Sequence, residues 1–142
     1  MISEPKYYQS KNIKLSGSSL NEVSAKARKI FNLEKSKSKR RPYVRSAYFG
    51  AKVFLELFWV HNAQKSRGEQ LRRLRYYQCA IDLLKSSRHA PVEKLNPNGN
   101  HEKVFRFYGL TKDGEEFWVQ VKEDKQTKGK YMMSIVPPKR AR

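Results

Sequence analysis

Cysteine and long apolar segments are scarce in this chain, and each shortage excludes a class of protein. The one cysteine, Cys79, cannot form an internal disulfide, which excludes the disulfide framework of small secreted domains. The longest apolar run, Val53–Val60, contains Glu56 and is far shorter than the roughly 20 residues that a membrane span needs. Residues 1–14 lack the apolar segment of a secretion signal. We therefore expect a cytoplasmic protein without a membrane partner.

Motifs that bind metals or nucleotide cofactors are also missing from the sequence. The three histidines, His61, His89 and His101, do not have metal-ligand spacing with one another or with Cys79. No glycine-rich phosphate loop or dinucleotide motif occurs. The sequence therefore predicts neither a metal nor another cofactor.

Acidic residues are few as well. Only 13 Asp and Glu stand against 31 Lys and Arg, which leaves a formal net charge of +18 on 142 residues. Such a charge draws polyanions through Coulomb attraction and counterion release. Because 38% of the residues are hydrophobic and 12% are aromatic, the chain can still form one core and is not a disordered basic tail. The composition favours a nucleic-acid partner, with RNA as the first expectation.

The first part of the chain has helical patterns. Residues 1–18 show no periodicity and are expected to be a flexible basic arm. Residues 19–88 are expected to form a helical region of about three helices, two of which begin with a capping box. The boxes are Ser19–Glu22 and Ser66–Glu69, and the helix expected between them, about 46–63, is apolar nearly all round.

Two basic segments in this region are predicted to contact RNA phosphates. The linker 34–45 is interpreted either as a phosphate-contacting strap or as a mobile, solvated loop. The third helix, about 66–87, contains four arginines in its first half, which Glu69 and Asp82 cannot neutralise. The predicted RNA-binding residues are Lys39, Arg40 and Arg41 in the linker, and Arg72, Arg73 and Arg75 in the helix.

From residue 89 onward the hydrophobic period changes from helical to alternating. Strands are predicted at 103–110, 115–122 and 130–136. Asp113-Gly114 is typical of a hairpin turn, so residues 89–138 are expected to form an antiparallel sheet, followed by a basic tail, 139–142. The predicted fold class is α+β, with about three N-terminal helices packed on a C-terminal antiparallel sheet of at least three strands. Residues 19–138 are expected to form one domain.

Alternation along the strands assigns their residues to two faces of the sheet. The predicted core face contains Phe105, Phe107, Phe117, Val119, Val121, Tyr131, Met133 and Ile135. The opposite face contains Arg106, Tyr108, Trp118, Gln120, Lys122 and Ser134. Because aromatic rings stack on unpaired RNA bases, Tyr108, Trp118 and Gln120 are predicted to bind RNA on this face. The alternative is an ordinary exposed sheet face.

The same face holds residues suited to RNA cleavage without a metal. In that reaction the RNA 2′-hydroxyl attacks the adjacent phosphate, cations stabilise the added negative charge, and one or two groups transfer protons. The candidate catalytic residues are Arg106, Lys122 and Ser134, with His89 or His101 near the sheet edge for proton transfer.

The segments Arg106–Thr111, Gly114, Phe117–Glu123 and Met133–Pro137 together form a recognisable pattern. The pattern resembles the C-terminal sheet of the barnase–EndoU–colicin–RelE-like nucleases, particularly those of phages and other mobile elements, and it covers about residues 89–138. The resemblance implies a helical part that precedes a compact antiparallel sheet whose open face holds the RNA site. By position, Arg106 and Lys122 resemble the phosphate-stabilising cations of that superfamily, and Ser134 resembles a late-strand polar residue.

These observations lead to one first hypothesis and two alternatives. The first is a metal-independent endoribonuclease of toxin type that cleaves tRNA or messenger RNA, with an acidic antitoxin or immunity protein as a possible partner. The second is a non-catalytic RNA-binding or ribosome-associated module. The third is a DNA-binding protein of a mobile element that uses the arginine-rich third helix. The sequence leaves the oligomeric state open.

Overall fold

The fold was described from a computed structural model, in which residues 4–95 and 102–138 are placed. Within these residues there are four helices and seven strands. In chain order they are β1 (Tyr7–Gln9), α1 (Leu20–Lys37), β2 (Tyr43–Arg45), β3 (Lys52–Phe54), α2 (Glu56–Ala63), α3 (Arg67–Leu74), α4 (Tyr77–Ser86), β4 (Val92–Leu95), β5 (Lys103–Leu110), β6 (Glu116–Glu123) and β7 (Lys130–Val136).

The seven strands form one mixed sheet that curves into a half-barrel, with the order β1-β5-β6-β7-β3-β2. β4 pairs with the first half of β5, on the edge whose second half pairs with β1. The β1–β5 and β3–β7 pairs are parallel, and the other pairs are antiparallel. The predicted fold, with N-terminal helices packed on an antiparallel sheet, is therefore wrong. Three strands come from the region before residue 89, and the helices lie between strands along the chain.

The predicted long helix at 46–63 is instead a β-hairpin followed by the short helix α2. Gly50 has a φ of +63°, which L side chains rarely adopt, and its N–H donates to the Ser46 carbonyl to close the turn. Val53 and Leu55 are fully buried on either side of the partly exposed Phe54. An apolar run that is buried on most sides has no clear period, so it cannot distinguish a helix from a buried strand that leads into one.

The predicted third helix is broken into α3 and α4 at Arg75 and Tyr76. Two neighbouring tyrosines explain the break, because each packs against a different part of the core. The Tyr76 ring lies 5.6 Å from the ring of Phe117 on the sheet, whereas the Tyr77 ring lies 5.4 Å from that of Phe58 on α2. With the helix interrupted between Leu74 and Tyr77, both tyrosine rings are buried.

The predicted flexible arm is ordered against the rest of the molecule from Tyr7 onward. β1 extends the sheet, and the carboxylate of Asp82 on α4 holds the segment that follows. It accepts hydrogen bonds from the Tyr8 hydroxyl (3.1 Å), the Ser10 hydroxyl (2.8 Å) and the Lys11 N–H (3.1 Å). Hydrogen bonds over such a long sequence separation could not be inferred from local patterns.

The long strands β5, β6 and β7 agree with the predicted strands to within one residue at each end. A bulge in β7 changes which of its side chains face the core, because Gln120 pairs with Ser134 whereas Val121 pairs with Met132. Met132 is consequently buried, and Tyr131 lies beside Lys122 on the polar face. The assignment of Tyr131 and Met133 to the core face is corrected by this bulge.

Candidate nucleic-acid interface

Three predicted site residues form one hydrogen-bonded row across the polar face of the sheet. Arg106, Gln120 and Ser134 are direct neighbours on β5, β6 and β7. The Arg106 guanidinium donates to Gln120 Oε1 from Nε (3.3 Å) and Nη2 (3.1 Å). Gln120 Nε2 in turn donates to Ser134 Oγ at 2.9 Å. The row fixes the Ser134 oxygen, and the serine O–H can still donate to a ligand.

The predicted base-stacking residues lie beside this row in an aromatic cluster. The rings of Tyr108 and Trp118 are 5.6 Å apart in an edge-to-face arrangement. Arg106 lies over the Trp118 ring, with Cζ 4.5 Å from its centroid, and Trp118 Nε1 donates to Glu116 Oε2 at 2.8 Å. Internal contacts therefore engage Trp118 through both its ring and its N–H, which leaves less of it for an RNA base than the sequence suggested.

Glu116 also accepts a hydrogen bond from Tyr7, at 2.9 Å from the tyrosine hydroxyl. Partial burial and the neighbouring Glu116 carboxylate both raise the pKa of Tyr7 above its ordinary value. Tyr7 thus remains a protonated donor, and β1 is joined to the aromatic cluster by a side chain as well as by its backbone.

Two neighbouring cavities lie between α2 and the polar face of the sheet, and together we call them the α2 groove. Its helix wall consists of Leu57, Val60, His61 and Gln64, and its sheet wall consists of Gln120, Lys122, Tyr131 and Ser134. The helix residues have i, i+3, i+4, i+7 spacing, which places them on one face. α2 takes this position because β3 pairs only with the first part of β7, at Lys130 and Tyr131, and α2 packs on β7 directly after β3 ends.

The polar end of the α2 groove is a cavity of about 550 Å³. Its lining residues are His61, Gln64, Lys65, Arg73, Gln120, Met133, Ser134 and Val136. None of these lining residues is acidic, and two of them carry a full positive charge. Arg73 is held rigidly, because its Nη1 donates to the Ile135 carbonyl at 2.8 Å and its Nε donates to Glu69 at 3.0 Å. This end of the groove suits an anion.

The other end of the α2 groove is a more apolar cavity of about 370 Å³. Its lining residues are Arg41, Glu56, Leu57, Val60, Lys122, Asp124 and Tyr131. Arg41, from the predicted phosphate strap, lies over the ring of Phe54 at 4.6 Å and donates to Glu56 at 2.9 Å. The hydrogen bond to Glu56 raises the pKa of Arg41 above its ordinary value, and the nearby Tyr131 adds to this effect.

Lys122 and Arg106 share the polar face but are not direct neighbours. Lys122 pairs with Val104, so it lies diagonally from Arg106, about 7–8 Å away between Cα atoms. Its ammonium group contacts the carboxylate of Glu102 at 3.1 Å. Arg106 lies opposite Gln120 on β5, and Lys122 lies two residues after Gln120 on β6. The two cations can therefore contact adjacent parts of a bound chain.

Three further predicted residues, His89, Lys39 and Arg40, do not line the groove. His89 is exposed after α4, where its backbone N–H donates to Ser87 Oγ. His101 lies outside the described residues. Lys39 and Arg40 are exposed in the segment between α1 and β2, next to Arg41.

Two of the three predicted arginines, Arg72 on α3 and Arg75 directly after it, hold distant chain segments. Arg72 donates to the carbonyls of Pro137 (3.0 Å) and Pro138 (2.7 Å), and Arg75 donates to those of Leu15 (3.1 Å) and Gly17 (2.9 Å). Arg72 is also paired with Glu69 at 3.0 Å. Only Arg73 of the three lines the α2 groove.

Sequence reasoning missed His61, Lys65 and Tyr131 as site residues. One helix face is indicated by the spacing of Leu57, Val60, His61 and Gln64. The first three of these residues belong to the predicted long helix 46–63, which is apolar nearly all round, so this face does not stand out in the sequence. His61 is half-buried and lines the same cavity as Ser134 and Gln120. Of the two histidines among the described residues, His61 is the one that lines this groove.

A cluster of metal-binding side chains and a membrane-spanning helix are both absent from the part of the chain that the structure describes. Among residues 4–95 and 102–138, no group of three or more His, Cys, Asp and Glu side chains is arranged to hold a metal ion. None of the helices in the same ranges combines the length and the apolar character that crossing a bilayer requires.

No protein-family model, curated protein or solved structure matches this chain. Its function must therefore be argued from the groove itself.

Proposed function

We propose that the protein binds RNA in the α2 groove and cleaves it in the cytoplasm by metal-independent transfer of the phosphate to the 2′-hydroxyl. The observation that supports this proposal is the composition of the polar cavity. A histidine and a fixed serine hydroxyl line it together with Lys65 and Arg73, and none of its lining residues is acidic. The net charge of +18 favours a polyanionic substrate over a small neutral one.

The reaction needs three contributions, and the cavity can supply each of them. His61 accepts the proton of the 2′-hydroxyl as the bond from the 2′-oxygen to phosphorus forms. Arg73 and the Ser134 hydroxyl stabilise the negative charge that accumulates on the phosphoryl oxygens. The bond from phosphorus to the 5′-oxygen then breaks, and the Lys65 ammonium can protonate the departing oxygen. The products are a 2′,3′-cyclic phosphate and a free 5′-hydroxyl, so atoms and protons balance.

A non-catalytic RNA-binding module is the second candidate, because the cations and aromatic rings would serve binding alone. The presence of His61 in the polar cavity favours cleavage over this candidate, since an imidazole can accept the 2′-hydroxyl proton, a step that binding alone does not need. The toxin-type role and an acidic inhibitory partner remain predictions, supported by the excess positive charge and by the sequence resemblance.

The first experiment is to incubate the purified protein with total cellular RNA in EDTA. We expect cleavage that leaves 2′,3′-cyclic phosphate ends. His61→Gln should lower the single-turnover rate at saturating RNA by about a hundredfold or more, because general acid–base catalysis typically contributes about 10²–10⁴-fold. RNA binding should change little.

His89→Gln is the matched control, since His89 is exposed and lies outside the groove. It should cleave at the wild-type rate. If His89→Gln is the variant that loses activity, or if His61→Gln cleaves normally, the groove is not the site of cleavage. If the wild-type protein binds RNA but cleaves none, the binding-module candidate replaces the nuclease.

A further inference from the structure

The two ends of the α2 groove differ in charge, and the difference indicates what each can hold. The ionised lining residues of the polar cavity are both cations, Lys65 and Arg73. The apolar cavity has two cations, Arg41 and Lys122, and two carboxylates, Glu56 and Asp124, so its formal charges cancel. A phosphate would gain little from the second cavity, whereas an uncharged group would not be repelled there.

Three of the residues that line the apolar cavity can contact a flat, uncharged ring. Leu57 and Val60 line it from α2, and Tyr131 lines it from β7. Val60 is 55% exposed, which leaves its apolar surface accessible to a ligand. The Tyr131 ring is supported from behind by Phe54, with ring centroids 5.6 Å apart and planes inclined by 32°. At about 370 Å³, the cavity is at the small end of the range for ligand sites, about 300–1,000 Å³.

The position of this cavity relative to the phosphate site also fits a polynucleotide. One face of α2 lines both cavities, and on β6 the two cavities are lined by Gln120 and Lys122. These residues are two positions apart on the same face of the strand, about 7 Å. A chain with its phosphate in the polar cavity can therefore reach the apolar cavity with a neighbouring base.

We propose that the apolar end of the α2 groove holds one unpaired nucleobase of the bound RNA, packed between Tyr131 and the Leu57–Val60 wall. This inference rests on the proposed RNA binding, and it names the substrate class as RNA with an unpaired nucleotide next to the bound phosphate. A base within a duplex is stacked and paired, so it could not enter the cavity without leaving its helix. The aromatic residue of the proposed base site is Tyr131, whose ring contacts Phe54 and lies 5.5 Å from Arg41 Cζ but also lines the cavity, whereas Trp118 lines neither cavity.

The test separates the base from the phosphates and from cleavage. The ligand is a fluorescent six-residue 2′-O-methyl ribose-phosphate chain without bases, compared with the same chain carrying a single central adenine. The methyl group removes the attacking hydroxyl, so neither ligand can be cleaved. Affinities are measured by fluorescence anisotropy at two salt concentrations. In the wild-type protein, the adenine should increase affinity about tenfold, within the range known for stacking on aromatic side chains.

The same increase should be nearly absent in Tyr131→Leu and in Val60→Asn, and it should persist in Tyr131→Phe, which keeps the ring. Leu33→Asn is the matched control for the valine, because Leu33 is equally exposed (56%) but lies on α1. Raising the salt concentration should weaken both ligands while leaving their affinity ratio unchanged, because an apolar contact releases no counterions.

Equal adenine increments in the wild type, Tyr131→Leu and Val60→Asn would overturn the base site while leaving RNA binding intact. An adenine increment that depends on Tyr131, in a protein that cleaves no RNA, would support the base site and contradict the nuclease. Failure of both ligands to bind would contradict both proposals. Displacement of the adenine-bearing chain by an apolar peptide, but not by RNA, would assign the cavity to a protein partner instead.

Discussion

Gly109 lies on β5 at a place where the sheet packs closely against Leu83 of α4. A Cβ atom at this position would lie 2.6 Å from Phe117 Cζ and 2.8 Å from Leu83 Cδ1. Both neighbours are fully buried, so neither can move aside freely. We expect Gly109→Ala to lower the free energy of unfolding by about 1–3 kcal/mol, which is the usual cost of forcing extra volume into a packed core. Urea unfolding at neutral pH measures this change.

Gly68→Ala provides the matched control for this prediction. Gly68 lies in α3, and no atom lies within 4 Å of the position that its Cβ would take. Alanine is favoured over glycine in helices by up to about 1 kcal/mol, so the free energy of unfolding should rise. Equal effects of the two substitutions would show that the contact at Gly109 is not the close packing described above.

At the level of single residues, the sequence predicted some site members and could not predict others. Arg106, Gln120 and Ser134 were predicted to share a face because alternation holds throughout β5 and β6 and in the part of β7 after its bulge. The bulge in β7 shifted the face of Tyr131, and no local signal marks it. The roles of Arg72 and Arg75 depend on carbonyl groups about 60 residues away in the chain. A count of the acidic residues near these arginines in the sequence does not indicate carbonyl acceptors that lie so far away in the chain.

At the level of elements, long periodic segments were predictable and short strands were not. α1 begins at its capping box, where Ser19 Oγ accepts the N–H of Glu22, and β5–β7 follow their alternating patterns. β1, β2 and β3 have three residues each and depend on partners far away in sequence. Because α2 takes its place from β3, the α2 groove could not be predicted once β3 was missed.

The helix α3 is stabilised by one carboxylate whose protonation can be followed. Glu69 Oε1 accepts hydrogen bonds from Arg72 Nη1 and Arg73 Nε, both at 3.0 Å. Burial alone would raise the pKa of Glu69, but the hydrogen bond from Arg73 and the charges of both arginines outweigh it and lower the pKa below the ordinary 4.5. A lowered pKa in the folded state means that this contribution is complete above pH 4.5 and is lost as the pH falls through the folded-state value.

We therefore expect Glu69→Gln to unfold more readily than the wild type at pH 7, with the difference shrinking as the pH falls below about 4.5. Urea unfolding of both proteins between pH 7 and pH 3 tests this. A difference in unfolding free energy that stays constant over the whole range would mean that the lost stability comes from packing and not from the charge of Glu69.

At the level of the whole molecule, the question is whether the charge of +18 acts as a diffuse attraction or through the groove. Cations occur on many surfaces, including the exposed Lys29 and Lys35 on α1. The polar cavity and the row beside it contribute Lys65, Arg73 and Arg106, whereas Arg41 and Lys122 are balanced by the carboxylates of the apolar cavity. If the attraction is diffuse, every one of these charges should contribute similarly to RNA affinity. If RNA binds at a defined site, affinity should depend on Lys65, Arg73 and Arg106 and not on Lys29 and Lys35.

Salt dependence distinguishes these two possibilities. For a single-stranded ligand, each phosphate contact contributes about −0.7 to the slope of log affinity against log salt, so three contacts predict a slope of about −2. RNA affinity should then fall about twentyfold between 50 and 200 mM salt. The double variant Lys65→Gln, Arg106→Gln should reduce the slope to about −0.7, because two of the three contacts are lost. The control double variant Lys29→Gln, Lys35→Gln removes the same charge from α1 and should leave the slope unchanged. Equal slopes in the two double variants would show that RNA is attracted by the total charge of the protein. That result would contradict the α2 groove as the binding site.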